Sequence, residues 1–348
     1  MKILVIGNMG YVGPGVISQL RATYPDAILV GYDIGYFANY LTNVPFLPEV
    51  KLSKQIMGDV REFPYEILKD FDAVVYLAAI SNDPMGAKYE DITLDVNYKS
   101  CIRVAEKARE SGVKSFVFAS SCSMYGEADD DAKTETDKLN PLTAYARSKV
   151  FAERDLEPLA TADFTVTCLR FATACGISNR LRLDLVLNDF VAGAVASKQI
   201  NILSNGTPWR PLINVLDMAR AIDWAIARKN DNGGQFLAVN TGSNTWNYQV
   251  KELAHAVGEV VPGCSVTINE DAPPDKRSYK VNFDLYSKLA PNHQPVYDLK
   301  TTIQNLYNAL TAMEFNDPNF RESKLMRLKV LAGLQQGGHL NDNLSWTW

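Results

Sequence analysis

Along the first 170 residues, short runs of aliphatic and β-branched residues alternate with amphipathic stretches. Ile3–Ile6, Ile28–Tyr32, Ala73–Leu77, Ser115–Ala119 and Phe164–Leu169 read as strands, and several have no polar face. Near-continuous apolar strands are covered on both sides, as in parallel sheets. Helical patterns near 11–23, 87–111 and 143–161 lie between them; in the second, Cys101, Ala105 and Ala108 recur at helical spacing and Gly112 is placed to end the helix. The alternation predicts an α/β fold, a doubly wound parallel sheet with right-handed crossovers.

After about residue 170 the pattern loosens. Pro, Gly and Asn cluster around 176–180, 204–211, 230–234 and 272–274, between helical patterns near 185–198, 215–228 and 248–260. These predict a smaller lobe beside the sheet. A last helical pattern (Leu325, Leu328, Val330, Leu331, Leu334) precedes Leu344-Ser345-Trp346. The expected division is 1–170, 171–315 and a tail at 316–348, with later segments free to return to the sheet.

Composition narrows the class. With 348 residues, 47% apolar and 22% charged, the chain falls outside the disordered, collagenous and coiled-coil ranges. A net charge of −5 and the lack of a Lys/Arg run give no general attraction to nucleic acid, so an anionic ligand must be held by placed arginines and backbone N–H groups. Five cysteines without a CxxC pair point to reduced thiols, and three scattered histidines leave no metal site to expect. No stretch approaches the roughly 18–20 apolar residues that cross a bilayer. Ile3-Leu4-Val5-Ile6 stops at Gly7, too short for a signal-peptide core, and a cytoplasmic location is expected.

Gly7-Asn8-Met9-Gly10-Tyr11-Val12-Gly13 joins the first strand to the first helix. Glycines here allow a tight turn, close backbone approach to a pyrophosphate and close helix–strand packing, while the helix N-terminus directs N–H groups at the phosphates. Asp33 ends the second strand twenty positions past Gly13. An acid there accepts from the adenosine ribose hydroxyls and repels a 2′-phosphate, which favours NAD over NADP. Asp59-Val60, after a third short strand, is a candidate contact to the adenine.

Ser120-Ser121 follows the fifth strand and so emerges at the carboxyl edge of the sheet, where such folds bind ligands. Tyr145 and Lys149 stand one helical turn apart on one face. A phenol titrating near 10 is a poor base at neutral pH. A neighbouring ammonium and the positive nicotinamide ring favour its phenolate.

Together these residues resemble the extended short-chain dehydrogenase/reductase superfamily, in its nucleotide-sugar epimerase/dehydratase branch. The resemblance rests on the glycine loop, Leu77-Ala78-Ala79, Asp95-Val96-Asn97, Ser120-Ser121 with Tyr125-Gly126, and Tyr145 with Lys149. It runs on through Leu169-Arg170-Phe171, Trp209-Arg210-Pro211 and the Asp217 segment, over roughly residues 1–290. It implies a Rossmann-like NAD domain, a substrate-binding lobe, and a homodimer through the helices near 90–111 and 143–161. It makes Tyr145 the acid/base, Lys149 the residue that orients the cofactor ribose and tunes Tyr145, and Ser121 the partner of the substrate hydroxyl. Gly7, Met9, Gly10, Tyr11, Val12, Gly13, Asp33, Asp59, Val60, Leu77, Ala78, Ala79, Asn97 and Ser120 join Tyr145 and Lys149 as the implied cofactor contacts.

Dehydratases of the branch place Asp-Glu directly after the catalytic Ser/Thr, where this chain has Cys122-Ser123. The apparatus for eliminating water is therefore missing, and Cys122 is either a thiol acid/base or a small buried residue. What remains suits an epimerase that oxidises a sugar hydroxyl, at C4 in the simplest case, and reduces the ketone on its other face. The alternative is an NAD(P)H-dependent reductase of a 4-keto nucleotide sugar. For the substrate, Arg210 and Arg277 are the expected diphosphate anchors, with Asn188, Arg180 and Arg182 as further contacts and Ser81, Cys122 and Ser123 beside the sugar. Thr173 stands where the branch has an amide Asn.

Overall fold

The structure is a computed structural model that describes residues 1–128, 131–273 and 277–348. Its strands are β1 (Lys2–Ile6), β2 (Ile28–Asp33), β3 (Lys54–Met57), β4 (Ala73–Tyr76), β5 (Ser115–Ser121), β6 (Thr165–Phe171), β7 (Thr173–Cys175), β8 (Gln199–Ile202), β9 (Trp209–Asn214), β10 (Phe236–Thr241), β11 (Asn247–Gln249) and β12 (Ser265–Ile268). Seven of them form one parallel sheet in the order β10-β6-β5-β4-β1-β2-β3. The chain runs outward from β1 to β3, then returns to build the other half from β4. That reversal opens a crevice at the carboxyl ends of β1 and β4.

Strand alternation sorts the apolar residues into two layers. Ile3, Val5, Val75, Val117 and Leu169 face one core with Val16 and Leu20 of helix Gly13–Thr23 and Ala219 and Ile222 of helix Val215–Ala227. Leu4, Ile6, Val74, Phe116, Phe118 and Val166 face the other, with Val104 and Ala105 of helix Ser100–Glu110 and Ala152 and Leu156 of helix Ala144–Leu156. Both faces are dry, which explains strands that read as continuous apolar runs.

Helix Val215–Ala227 and edge strand β10 return to the main sheet, the course that the expected division leaves open to later segments. The lobe proper carries β11-β9-β7, β12-β8 and helices Val186–Ser197 and Val250–Val260. The expected helix over 87–111 is broken into Asp83–Lys88, Glu90–Leu94, a wide turn at Asp95–Lys99 and Ser100–Glu110. Tyr89 leaves the helical region (φ −126°, ψ 54°), and the wide turn carries buried Asn97, whose amide is bonded to Ile80.

The centre of the sheet sets its stability. Phe116→Ala, at a fully buried ring, is expected to lower the unfolding free energy by about 3–5 kcal/mol in a urea titration; a loss under about 1 kcal/mol would contradict this packing.

Candidate functional site

At the crevice the backbone of the glycine loop approaches its neighbours too closely for side chains. Gly7 has φ +86°, and a Cβ there would lie 2.4 Å from the Ala78 nitrogen. A Cβ on Gly13 would lie 1.8 Å from the Asn8 carbonyl oxygen. Gly10, whose added Cβ would meet only the Gly7 carbonyl oxygen at 3.4 Å, forms part of the wall of a cavity of about 640 Å³.

Asp33 lies on the same wall, its carboxylate accepting from the Met9 and Gly35 N–H groups at 2.8 and 2.7 Å. Burial raises its pKa, and the two N–H bonds oppose the rise. Tyr11, Val12, Asp59, Val60, Leu77, Ala78 and Ala79 complete this end. Asp59 grips Arg61 at 2.5 Å. Met9 and Gly13 stand behind the wall and shape the loop. Asn97, fully buried, likewise works from behind: its amide holds the Ile80 N–H and C=O at 2.8 and 3.1 Å and bonds Ser148. A glycine cradle, an acceptor carboxylate and an elongated cavity fit a dinucleotide.

Helix Ala144–Leu156 begins where the Thr143 hydroxyl accepts from the Ala146 N–H, and this cap aims Tyr145 into the cavity. Ser121, at the end of β5, faces the Tyr145 phenol and lowers its pKa. Its hydroxyl also accepts from the Ser123 N–H at 3.1 Å and donates to Ser123 Oγ at 2.9 Å. Lys149 Nζ donates to the Ala119 carbonyl at 2.7 Å and lies 5.5 Å from the Tyr145 ring centroid. Ser120, on the wall, donates to Glu153 at 2.5 Å. Burial first, then Asp83, push the Tyr145 phenol up, while Ser121 and Arg182 pull it down. Burial pulls the Lys149 ammonium down to about 8. The local charge that favours the phenolate in the protein alone is therefore Arg182, which the sequence reading had assigned only to substrate.

The remaining expected residues divide. Ser81, Ser123, Arg182, Arg210 and Arg277 stand on the cavity wall. Arg182 spans Asp184 at 2.6 and 2.9 Å and donates to Ser81 at 2.9 Å. Arg277 pairs with Asp83 at 2.6 Å; its chain neighbours Asp275 and Lys276 lie outside the described residues. Three expectations are corrected. Arg180 is fully buried against Glu49 at 2.7 Å, off the wall. Asn188 is fully buried too, its amide spent on the Gly176 N–H and the Arg182 carbonyl. Cys122 points inward, its thiol donating to the Arg170 carbonyl at 3.0 Å, and burial pushes that thiol up.

Asn82 and Asp83, which follow Ser81 in the segment expected beside the sugar, and Thr173 also stand on the wall, together with four residues that the sequence does not mark as site residues: Asp184, Tyr279, Arg327 and Leu331. Only Arg182 and Asp184, two positions apart with opposite charge, carried a local signal.

A family model described as "NAD dependent epimerase/dehydratase family" matches residues 3–242. The chain belongs to that family. Among relatives, a UDP-glucose 4-epimerase of Corynebacterium glutamicum is 26% identical over 276 residues, 75% of this chain and 80% of the relative. Another, of Rhizobium meliloti, is 26% identical over 334 residues, 88% of this chain and 96% of the relative. The fold is shared with UDP-glucose 4-epimerase from Brucella ovis in complex with NAD (TM-score 0.73, 21% identity, 88% of this chain and 97% of that one). It is shared also with a UDP-glucuronic acid 4-epimerase from Bacillus cereus in complex with a 4-fluoro substrate analogue and NAD (TM-score 0.75, 20% identity, 90% and 100%). The family's cofactor is NAD, and the cradle described above is shaped for it. Among the described residues, no helix is long and apolar enough to cross a membrane.

Lys149 yields a pH prediction. The fold lowers its pKa from 10.5 to about 8, so between those values the unfolded chain holds a proton that the folded chain has released. Stability from this group therefore rises with pH across that window and is flat below it. The unfolding free energy of the NAD-free wild type relative to Lys149→Met is expected to rise by about 2–3 kcal/mol from pH 8 to 10.5. A constant difference would refute the buried environment of Nζ.

Proposed function

We propose that the protein is a nucleotide-sugar epimerase that transiently oxidises a sugar hydroxyl, at C4, and re-reduces the ketone on its opposite face. The observation that carries this reading is the state of the four carboxylates on the cavity wall. Asp33 accepts two backbone N–H groups, Asp59 grips Arg61, Asp83 is shared by Thr143 and Arg277, and Asp184 is spanned by Arg182. With Cys122 sealed, the wall offers, among the described residues, no unpaired acid and base for eliminating water. The neighbouring pair Tyr145 and Ser121 is what remains for moving a proton.

NAD, which the glycine loop and Asp33 would hold, would supply reversible hydride chemistry at the sugar carbon. In the forward half, Ser121 holds the substrate hydroxyl and Tyr145 Oη receives its proton. In the return half Tyr145 gives that proton back to the ketone oxygen. Arg182 makes the phenolate easier to reach. Lys149, fixed by the Ala119 carbonyl, keeps its ammonium behind the Tyr145 ring. Arg210 and Arg277 are suited to the diphosphate of the sugar nucleotide, because guanidinium forks match phosphate oxygens. The named relatives, UDP-glucose 4-epimerases, support a nucleotide-sugar substrate.

Tyr145→Phe is expected to cut turnover at least ~100-fold with NAD affinity unchanged, the scale of a lost acid/base group. Wild-type-like turnover would overturn the assignment. In a panel of UDP-, GDP-, CDP- and dTDP-sugars, the wild type should interconvert isomers of unchanged mass without added cofactor. Stoichiometric NADH consumption would establish the reductase reading instead.

The same reading includes a homodimer in the cytoplasm. Tyr98, Ile102 and Phe151 are half-buried on helices that would meet a second copy, with the Tyr98 and Phe151 rings 5.7 Å apart. Phe151→Glu is expected to halve the mass measured by light scattering; an unchanged mass would place the interface elsewhere.

A further inference from the structure

The segment after residue 316, which the sequence offered only as a tail, folds back against the dinucleotide end of the cavity. Arg327 and Leu331 of helix Arg327–Gln336 are wall residues. Leu331, Leu340 and Leu344 share an apolar cluster with Tyr36, Ile80, Met85 and Tyr89. Polar contacts then fasten the segment to the chain that carries Asp33 and Asp59. The Trp346 indole donates to the Ile34 carbonyl at 2.7 Å, and the Tyr36 hydroxyl donates to the Leu344 carbonyl. Arg61, held by Asp59, donates to the Asn343 carbonyl at 2.6 Å.

Arg327 is unusual within this wall. It is 1% exposed, its guanidinium carbon lies 4.2 Å from the Phe37 ring centroid, and Nη2 donates to the Arg180 carbonyl at 2.7 Å. Nη1 has no acceptor. Two more arginines stand close, but each has its own carboxylate: Arg180 has Glu49 and Arg182 has Asp184. Burying a cation without a counter-charge is costly unless an anion completes the site. Burial first, then Arg182 and Arg180, pull the Arg327 pKa down to about 9 against the opposing pull of Asp184, whose carboxylate is already spanned by Arg182. The charge neighbours of Arg327 include Tyr11 of the glycine loop, whereas Arg277 pairs with Asp83 and Arg210 acts on Tyr279. The anion that fits is thus the one laid along the glycine loop.

We propose that the carboxyl-terminal segment is a strap closing the adenosine half of the dinucleotide cleft, with Arg327 as the counter-charge that holds the cofactor's diphosphate. The inference rests on the cavity binding a dinucleotide, and not on what is done to the sugar. A strap of this kind makes the cofactor slow to leave, which suits an enzyme that reoxidises its own cofactor in every cycle.

The test is binding to the full-length protein freed of nucleotide, with ADP-ribose, adenosine and UDP as probes. Arg327→Gln is expected to weaken ADP-ribose at least tenfold, leave adenosine and UDP within twofold, and be partly rescued by Arg327→Lys. Equal losses for ADP-ribose and adenosine, a loss confined to UDP, or no loss would each overturn the role. Trp346→Ala, outside the cavity wall, is expected to speed release of NAD from the loaded protein at least fivefold with UDP affinity unchanged. Unchanged release would overturn the strap even if Arg327→Gln failed to fold. None of these titrations needs turnover, so an inactive sugar panel would leave them readable and would count only against the epimerase reading.

Discussion

One buried ammonium ties the chemistry of this protein to its fold. Lys149 leaves its helix, passes behind Tyr145 and donates to the Ala119 carbonyl, the last but two residue of β5. That bond locks the first turns of helix Ala144–Leu156 to the strand end that carries Ser120 and Ser121. Together with the Ser120–Glu153 bond it keeps the phenol and the serine hydroxyl in register. The arrangement is costly, because burial disfavours the charged form and no carboxylate pairs with it directly; Glu153 acts on it only at longer range.

Around that centre the carboxylates of the wall are already paired. Asp33, Asp59, Asp83 and Asp184 each have partners, and the inward-turned thiol of Cys122 is inert. Among the described residues such a wall offers no unpaired second acid/base of the kind that elimination demands, the basis of the proposed epimerase reading. The rest of this part of the wall is made of neutral groups and paired ions: Ser81, Asn82, Ser123, Thr173 and the Arg182–Asp184 pair.

What could be read from the chain was what local physics dictates. Strands buried on both faces show as unbroken apolar runs, and a loop pressed against Ala78 and Asn8 shows as glycine. Tyr145 and Lys149 were legible because a helix turn fixes their relation. Contacts that depend on distant segments were not. Arg180 and Asn188 look like phosphate ligands in sequence, yet Glu49 and Gly176, contributed by other parts of the chain, consume them. The return of β10 to the sheet edge, and of residues 327–346 to the cofactor end, comes from long-range packing with no local pattern. The broken helix before Ser100 was hidden for the same reason, since Asn97 is turned inward by Ile80 and Ser148.

The account stands or falls on the fate of the hydrogen on the epimerised carbon. The decisive measurement is mass spectrometry of the product formed in deuterium oxide from whichever sugar nucleotide the protein interconverts. Carriage of that hydrogen away from and back to the same carbon predicts a product with no carbon-bound deuterium. One deuterium gained per turnover would mean that the carbon is deprotonated to solvent, and would contradict the role given to Tyr145, Ser121 and Lys149.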